Sequence, residues 1–363
     1  MKNKIVISAI NIFEGGALSI LDDCLNYLNS ELYQEYEIIA LVHDKTKFSL
    51  PNVKFLEFKN SRKSYLYRLF YEYIWFYFLS IKIKPYLWFS LHDITPNVKS
   101  NICAVYCHNP SPFYKISIQE FKFEPSFGLF NLFYKYLYAI NLNKNKFIVV
   151  QQNWLREEFK NKLKAKSNIL VAPPNVTSNK VEIDVKSNEI GKFIFFFPSL
   201  PRVFKNVECV CEATKILNAR GLNFELHLTI AGNENKYAKH LYLKYGAVNN
   251  IKFLGQIKRN EVFDKFKICS ALVFPSKLET WGLPITEAKL FNKPILLADS
   301  PYAHETVGNY SKVSFFQPDN NFELAELMNQ IINNSIIYDG NVAKEINSPI
   351  AYNWKEVFTI LLD

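Results

Sequence analysis

The sequence predicts an α/β protein of two doubly wound parallel-sheet domains, on three observations. Strand-like apolar runs alternate with helix-like segments along most of the chain, the pattern of βαβ units. The rhythm breaks once, in the polar stretch that opens with Pro173-Pro174, and then restarts. A length of 363 residues exceeds one ordinary core and suits two.

Taken in order, the first half has strands over Lys4–Ile10, Tyr36–Val42, Leu87–Leu91, Ile102–Cys107, Phe147–Val150 and Ile169–Val171, with long aromatic helices between them. The interdomain linker falls at 176–191, which leaves a first domain of 1–175. The second domain, 192–340, runs as strand Phe193–Phe197, helix Val207–Ala219, strand Glu225–Ile230, helix Lys236–Tyr245, strand Ile251–Leu254 and helix Glu261–Ile268. It closes with strand Ala271–Phe274, helix Ile285–Leu290, strand Pro294–Ala298 and helix Asn321–Ile332. The last segment, 341–363, carries an amphipathic helix over Tyr352–Leu362.

Hydrophobic content of 49% with 21% charged residues describes a folded globular chain. The charge is unevenly placed: residues 1–180 hold 23 basic against 14 acidic side chains, whereas 181–363 hold 20 of each. Cys24, Cys103, Cys107, Cys209, Cys211 and Cys269 show no C-x-x-C pair or zinc spacing and read as reduced thiols, which favours the cytosol. Asn11 and Glu14 interrupt the apolar N-terminus, so a first strand fits it better than a signal peptide.

Chemistry concentrates in Phe274-Pro-Ser-Lys-Leu-Glu279-Thr280-Trp281-Gly282-Leu283-Pro-Ile-Thr-Glu287-Ala288. Glu279 falls in a strand-to-helix loop and Glu287 in the first turns of the helix, so the two carboxylates can reach opposite ends of one polar ligand at the sheet's carboxyl edge. A solvated glutamate plus a dipole-favoured helix glutamate is the plainer alternative. After the first strand of the second domain, Arg202 and Lys205 lie ahead of a helix start and suit a diphosphate, or else are solvated loop charges. Gly15-Gly16 follows the first strand and serves either as a tight turn or as a loop whose amides approach an anion. His108 and His92 each end a strand and can meet a substrate hydroxyl or bond to backbone. No G-x-G-x-x-G follows any strand, against a nicotinamide or flavin enzyme, and the absence of D-x-D or a His/Asp/Glu cluster speaks against a metal.

Two aromatic-basic segments, Arg62–Lys82 and Phe127–Tyr138, are too short in their uncharged runs to span a bilayer. Aromatics flanked by Lys and Arg suit a helix lying in the membrane interface, and a core helix is the alternative. No RNP-like motif or recognition helix is present, so no nucleic acid partner is expected.

With these pieces assembled, the chain resembles the family 4 retaining glycosyltransferases of the GT-B fold over essentially its full length. The resemblance rests on the Glu279-x7-Glu287 motif, the Gly15-Gly16 loop, His108, Gln151–Arg156, Pro174-Asn175-Val176 and Phe253-Leu-Gly-Gln256. It implies two Rossmann-like domains facing a central cleft, acceptor-binding first and nucleotide-sugar-binding second, with the Trp354 helix crossing back to pack on the first. It further implies catalytic Glu279 and His108, and donor binding through Gly15, Gly16, Arg202, Lys205, Gln256, Thr280, Trp281, Gly282, Leu283 and Glu287. Arg202 and Lys205 then take the place of a metal, and no cofactor is required. The family's Arg and Lys are usually spaced more widely, and Trp281 stands where phenylalanine is commoner.

The expected activity is metal-independent, retaining transfer of a hexose from a UDP- or GDP-sugar to a lipid-linked or oligosaccharide acceptor in O-antigen or capsule assembly. The expected location is the inner face of the cytoplasmic membrane, as a peripheral protein. A nucleotide-sugar epimerase or hydrolase of the same fold, or a non-catalytic membrane-associated binding protein, are the alternatives.

Overall fold

The computed structural model describes residues 2–174 and 192–363, in two compact units. The expected linker at 176–191, and Asn175-Val176 of the domain-exit motif, lie outside the described residues.

The first unit comprises 1–113, 132–175 and 346–363. Its sheet holds β1 (Asn3–Ala9), β2 (Tyr36–Val42), β3 (Val53–Glu57), β4 (Leu87–Ser90), β5 (Ile102–Cys107), β6 (Phe147–Val150) and β7 (Asn168–Val171). All pair in parallel, in the order β3-β2-β1-β4-β5-β6-β7. Alternate residues of β1 feed two cores, as a period of two requires. Ile5 and Ile7 pack with Leu21, Leu25 and Phe89, while Val6 packs with Ile39, Phe76 and Trp88 on the other face. The C-terminal helix Trp354–Leu362 belongs to the first of these cores through Val357, Phe358 and Leu361. Arg156 ties down the approach to it, donating to the carbonyls of Asn347 (2.6 Å) and Pro349 (2.5 Å).

The second unit comprises 114–131 and 176–345. Its strands are β8 (Phe193–Phe197), β9 (Phe224–Leu228), β10 (Ile251–Phe253), β11 (Ala271–Phe274), β12 (Ile295–Ala298) and β13 (Val313–Phe316), all parallel, in the order β10-β9-β8-β11-β12-β13. Both sheets are doubly wound and reverse direction of growth once, between β1 and β4 and between β8 and β11.

Residues 114–131 lie early in the chain yet count with the second unit. Glu124 accepts from Arg202, Phe123 packs on Tyr237, and the Phe127 ring stands 5.3 Å from that of Phe204. Two edge strands, β3 and β13, and the helix Pro301–Val307 have no counterpart among the sequence-predicted elements. β3 carries Lys54 and Glu57 and is only half-buried, so its apolar signal is weak. The cysteines are free thiols; Cys103 is half-buried and the rest buried, and burial pushes the Cys103, Cys209 and Cys269 thiols up to about 12.

Candidate functional site

In the second unit, β8 and β11 flank the switch point, the place where an open α/β sheet leaves a crevice at its carboxyl edge. The loop after β8 tightens into one 3-10 turn, Val203–Lys205, and Asn206 follows it in the left-handed region (φ 55°), a conformation asparagine tolerates. Buried Asn206 donates from Nδ2 to the carbonyls of Pro275 (3.2 Å) and Pro318 (2.6 Å), while Phe204 O accepts from the amide of Lys277 at 2.8 Å. The two loops are thereby stitched together, and Lys205 Nζ meets Glu279 Oε1 at 2.5 Å. Their side chains are only 17% and 13% exposed, so this is a charge-assisted pair in a largely water-poor setting.

Gly282 starts the helix Leu283–Leu290 at φ 81°, and a Cβ there would stand 3.1 Å from Ile285 Cδ1 and 3.7 Å from Glu279 Cγ. The positive φ is what favours glycine here, while the Ile285 methyl would have to give by a few tenths of an ångström for any Cβ. Trp281 Nε1 donates to Thr286 Oγ1 at 3.0 Å, and its carbonyl accepts from Thr306. Thr280 and Trp281 are half-buried, whereas Leu283 is exposed.

Glu287 is buried, and no hydrogen bond or ion pair engages its carboxylate among the described residues. Burial raises its pKa, with Arg259 opposing the shift. Such a group is an acceptor lacking donors. Gln256 follows Gly255, which has φ 73° and an amide that bonds Ile230 O at 3.1 Å.

Arg202 goes elsewhere. Its Nε donates to Glu124 Oε2 at 2.7 Å, Glu124 Oε1 takes the Val203 amide at 3.0 Å, and the guanidinium lies 5.3 Å from the Phe127 and Phe204 rings. Lys205 and Glu279 are thus brought together, and Arg202 anchors residues 114–131.

In the first unit, Gly15 opens the helix Gly15–Tyr27 at φ 71°, and a Cβ on Gly15 or Gly16 would meet nothing within 4 Å. His108 Nε2 bonds Leu91 O at 2.7 Å, so that nitrogen carries the hydrogen and Nδ1 holds a lone pair. Nδ1 is buried and has no hydrogen-bond partner among the described residues. The ring stacks 4.4 Å from that of Tyr106, and burial lowers its pKa, so it stays neutral at physiological pH.

The residue that fixes this loop, Asp93, has no place among the sequence-predicted site residues. It adopts φ 77°, and its Oδ1 accepts from the amides of His108 (2.6 Å) and Asn109 (3.0 Å) and from Tyr138 Oη (3.2 Å). His92 is buried against Glu72, with Nε2 to Oε1 at 2.5 Å, which makes it a structural residue. Among the described residues no group of three or more His, Cys, Asp or Glu side chains could hold a metal ion.

Two doubly wound parallel-sheet units, the second with a cation–carboxylate pair at its switch point, match the GT-B fold of solved glycosyltransferase structures. Residues 179–347 match the glycosyl transferases group 1 family. The chain is 21% identical over 269 residues to the O-antigen chain mannosyltransferase RfbU of Salmonella typhimurium, covering 72% of this chain and 70% of that protein. The fold is shared with the apo lipopolysaccharide outer core galactosyltransferase WaaB (TM-score 0.62, 13% identity, 93% and 92% of the two chains). It is shared also with Anabaena HepE in complex with UDP-glucose (TM-score 0.58, 15% identity, 92% and 90%).

Proposed function

We propose that this glycosyltransferase moves a hexose from a UDP- or GDP-sugar to a lipid-linked or oligosaccharide acceptor in surface-polysaccharide assembly, with retention of configuration and without a metal. The observation that carries the reading is the Lys205–Glu279 pair at the β8/β11 switch point. RfbU and WaaB, both surface-glycan transferases, support the pathway class, and the UDP-glucose complex of HepE supports the donor class.

In this reading the donor's diphosphate takes Lys205 as counter-ion, and Glu279 turns its oxygens to sugar hydroxyls. Glu287, short of donors, accepts from the ribose hydroxyls. Thr280, Trp281, Gly282 and Leu283 wall the donor, and Gln256 bounds it from the neighbouring loop. In the first unit, His108 stands beside the donor sugar, and the open Gly15-Gly16 turn lets amides approach a phosphate. The sugar's C1–O bond to the β-phosphate breaks with its electron pair going to the phosphate. The acceptor oxygen bonds C1 from the same face, and its proton passes to the leaving phosphate. Negative charge builds on that phosphate, so a fixed ammonium favours the transition state over the ground state.

Incubation with UDP- and GDP-hexoses, with and without lipid-linked or oligosaccharide acceptor and with EDTA, tests the reading. The expected result is acceptor-dependent product of unchanged anomeric configuration, insensitive to EDTA. Donor turnover without acceptor, an inverted product, or loss of transfer on chelation would each overturn the corresponding part.

A further inference from the structure

The helical run 65–83 of the first unit is turned inside out with respect to charge. Between Lys63 and Lys82 the only charged residues are Arg68 and Glu72, and both are buried. Arg68 donates to His92 O at 2.8 Å and to Tyr134 Oη at 3.3 Å, while Glu72 pairs with His92. The side chains left facing solvent are apolar: Tyr65, Leu66, Phe70, Ile74, Trp75 and Phe78, with Leu66 at 77% and Phe78 at 62% exposure. The Arg68–Tyr134 contact brings in the neighbouring helix Pro125–Ala139, which shows Phe133 and Tyr136 to solvent. Isolated exposed apolar residues are ordinary; a run of this length whose only charges point inward is not.

We propose that this face docks on an anionic bilayer surface. Exposed Arg62 and Lys63 stand at one end of the run and exposed Lys82 and Lys84 at the other, so an aromatic band sits between two cationic ends. That order matches the headgroup region, where tyrosine and tryptophan occupy the boundary and basic side chains reach the phosphates. No described helix is long and apolar enough to cross a membrane, so the face lies in the interface rather than spanning it. A second copy of the chain fits less well: an isologous contact through this band would set both basic ends against themselves. The proposal does not rest on the transfer reaction.

The test is co-sedimentation of the full chain with vesicles of phosphatidylcholine alone and of phosphatidylcholine mixed with phosphatidylglycerol. The variants are Trp75→Glu/Phe78→Glu and Arg62→Glu/Lys63→Glu/Lys82→Glu/Lys84→Glu. Wild type is expected to sediment with the mixed vesicles and to be released by salt. Each basic residue near an anionic leaflet strengthens binding by about fivefold, so the four-residue reversal is expected to weaken it at least 100-fold. If the aromatic variant fails to fold, the charge variant, altered only at exposed positions, still decides. Transfer to a water-soluble acceptor, measured in parallel, is expected to stay unchanged, which separates loss of docking from loss of chemistry. Equal sedimentation of wild type and variants, absence of sedimentation, or a concentration-dependent dimer abolished by the aromatic variant would overturn the proposal.

Discussion

Lys205 Nζ lies 2.5 Å from Oε1 of Glu279, 74 residues away in sequence, and so joins the loops after two strands that are neighbours in the sheet. Neither loop holds the pair alone. Asn206, bonded to Pro275 O and Pro318 O, and the Lys277 amide on Phe204 O set the separation before any ligand arrives. A site built in this way has its charges oriented in advance, which is what electrostatic catalysis requires.

Lys205→Ala is expected to lower kcat by about 100-fold or more, the usual cost of removing a fixed group that meets developing charge. It also leaves Glu279 largely buried and unpaired. With both side chains slightly solvated, the full penalty of a broken interior pair is discounted to about 1–2 kcal/mol of stability. The double variant Lys205→Ala/Glu279→Ala is expected to recover part of that stability and none of the activity. Urea denaturation beside single-turnover kinetics checks both halves, and an undiminished kcat in Lys205→Ala would remove the lysine from the mechanism.

Asp93→Asn tests the loop beneath His108. Asparagine tolerates the left-handed backbone that Asp93 adopts (φ 77°), so the substitution removes charge without straining the turn. One carboxylate oxygen now serves two amides and a tyrosine hydroxyl, whereas a neutral amide oxygen accepts more weakly. Because Asp93 acts through His108, kcat is expected to fall about tenfold with KM nearly unchanged, at a stability cost near 1–2 kcal/mol. An equal rise in KM with constant kcat would point to a binding role instead.

Much of this was legible in the sequence, and what was not has physical reasons. The strands that line both switch points are continuous apolar runs buried on both faces, so β1, β4, β8 and β11 announce themselves. The strand-turn-helix that carries Glu279, Gly282 and Glu287 was legible because proline, glycine and spacing mark it. The pairing of Arg202 with Glu124 was not legible, since the two lie 78 residues apart and nothing local marks the contact. Asp93 and Asn206 were missed because their work is done by bonds to remote backbone. Positive φ at an Asp or Asn that ends a strand or opens a helix is the one local sign, and it is invisible until the backbone is known.

Glu287→Gln is expected to raise stability while lowering donor affinity. The folded-state pKa of Glu287 lies above its ordinary value of 4.5 because of burial, so the folded protein holds a proton that the unfolded chain releases. Stability therefore falls as pH rises from about 4.5 through the folded pKa, and a neutral glutamine escapes this loss. The gain over wild type is expected at neutral pH and should vanish in acid. Loss of a charged acceptor for ribose hydroxyls weakens nucleotide-sugar binding by about 10- to 100-fold. Calorimetric titration with donor and thermal melts across pH measure the two effects, and unchanged affinity would remove Glu287 from the ribose site.

His108→Gln separates the tautomer argument from packing. In wild type the ring is half-buried, its Nε2 hydrogen is committed to Leu91 O, and its pKa is lowered from 6.5 by desolvation. As pH falls below 6.5, the unfolded chain takes up a proton that the folded ring refuses, so stability drops by at most about 1.4 kcal/mol per pH unit, until the folded pKa is passed. Above 6.5 both states are neutral and the histidine adds no slope. Glutamine at 108 can still donate to Leu91 O and never titrates. The stability difference between the two proteins is thus expected to be flat above pH 6.5 and to shift toward the variant below it. Urea midpoints from pH 5 to 8 read this directly, with other acid-sensitive groups cancelling in the difference. Parallel curves would mean that His108 protonates freely in the folded state, and the neutral tautomer would have to be abandoned.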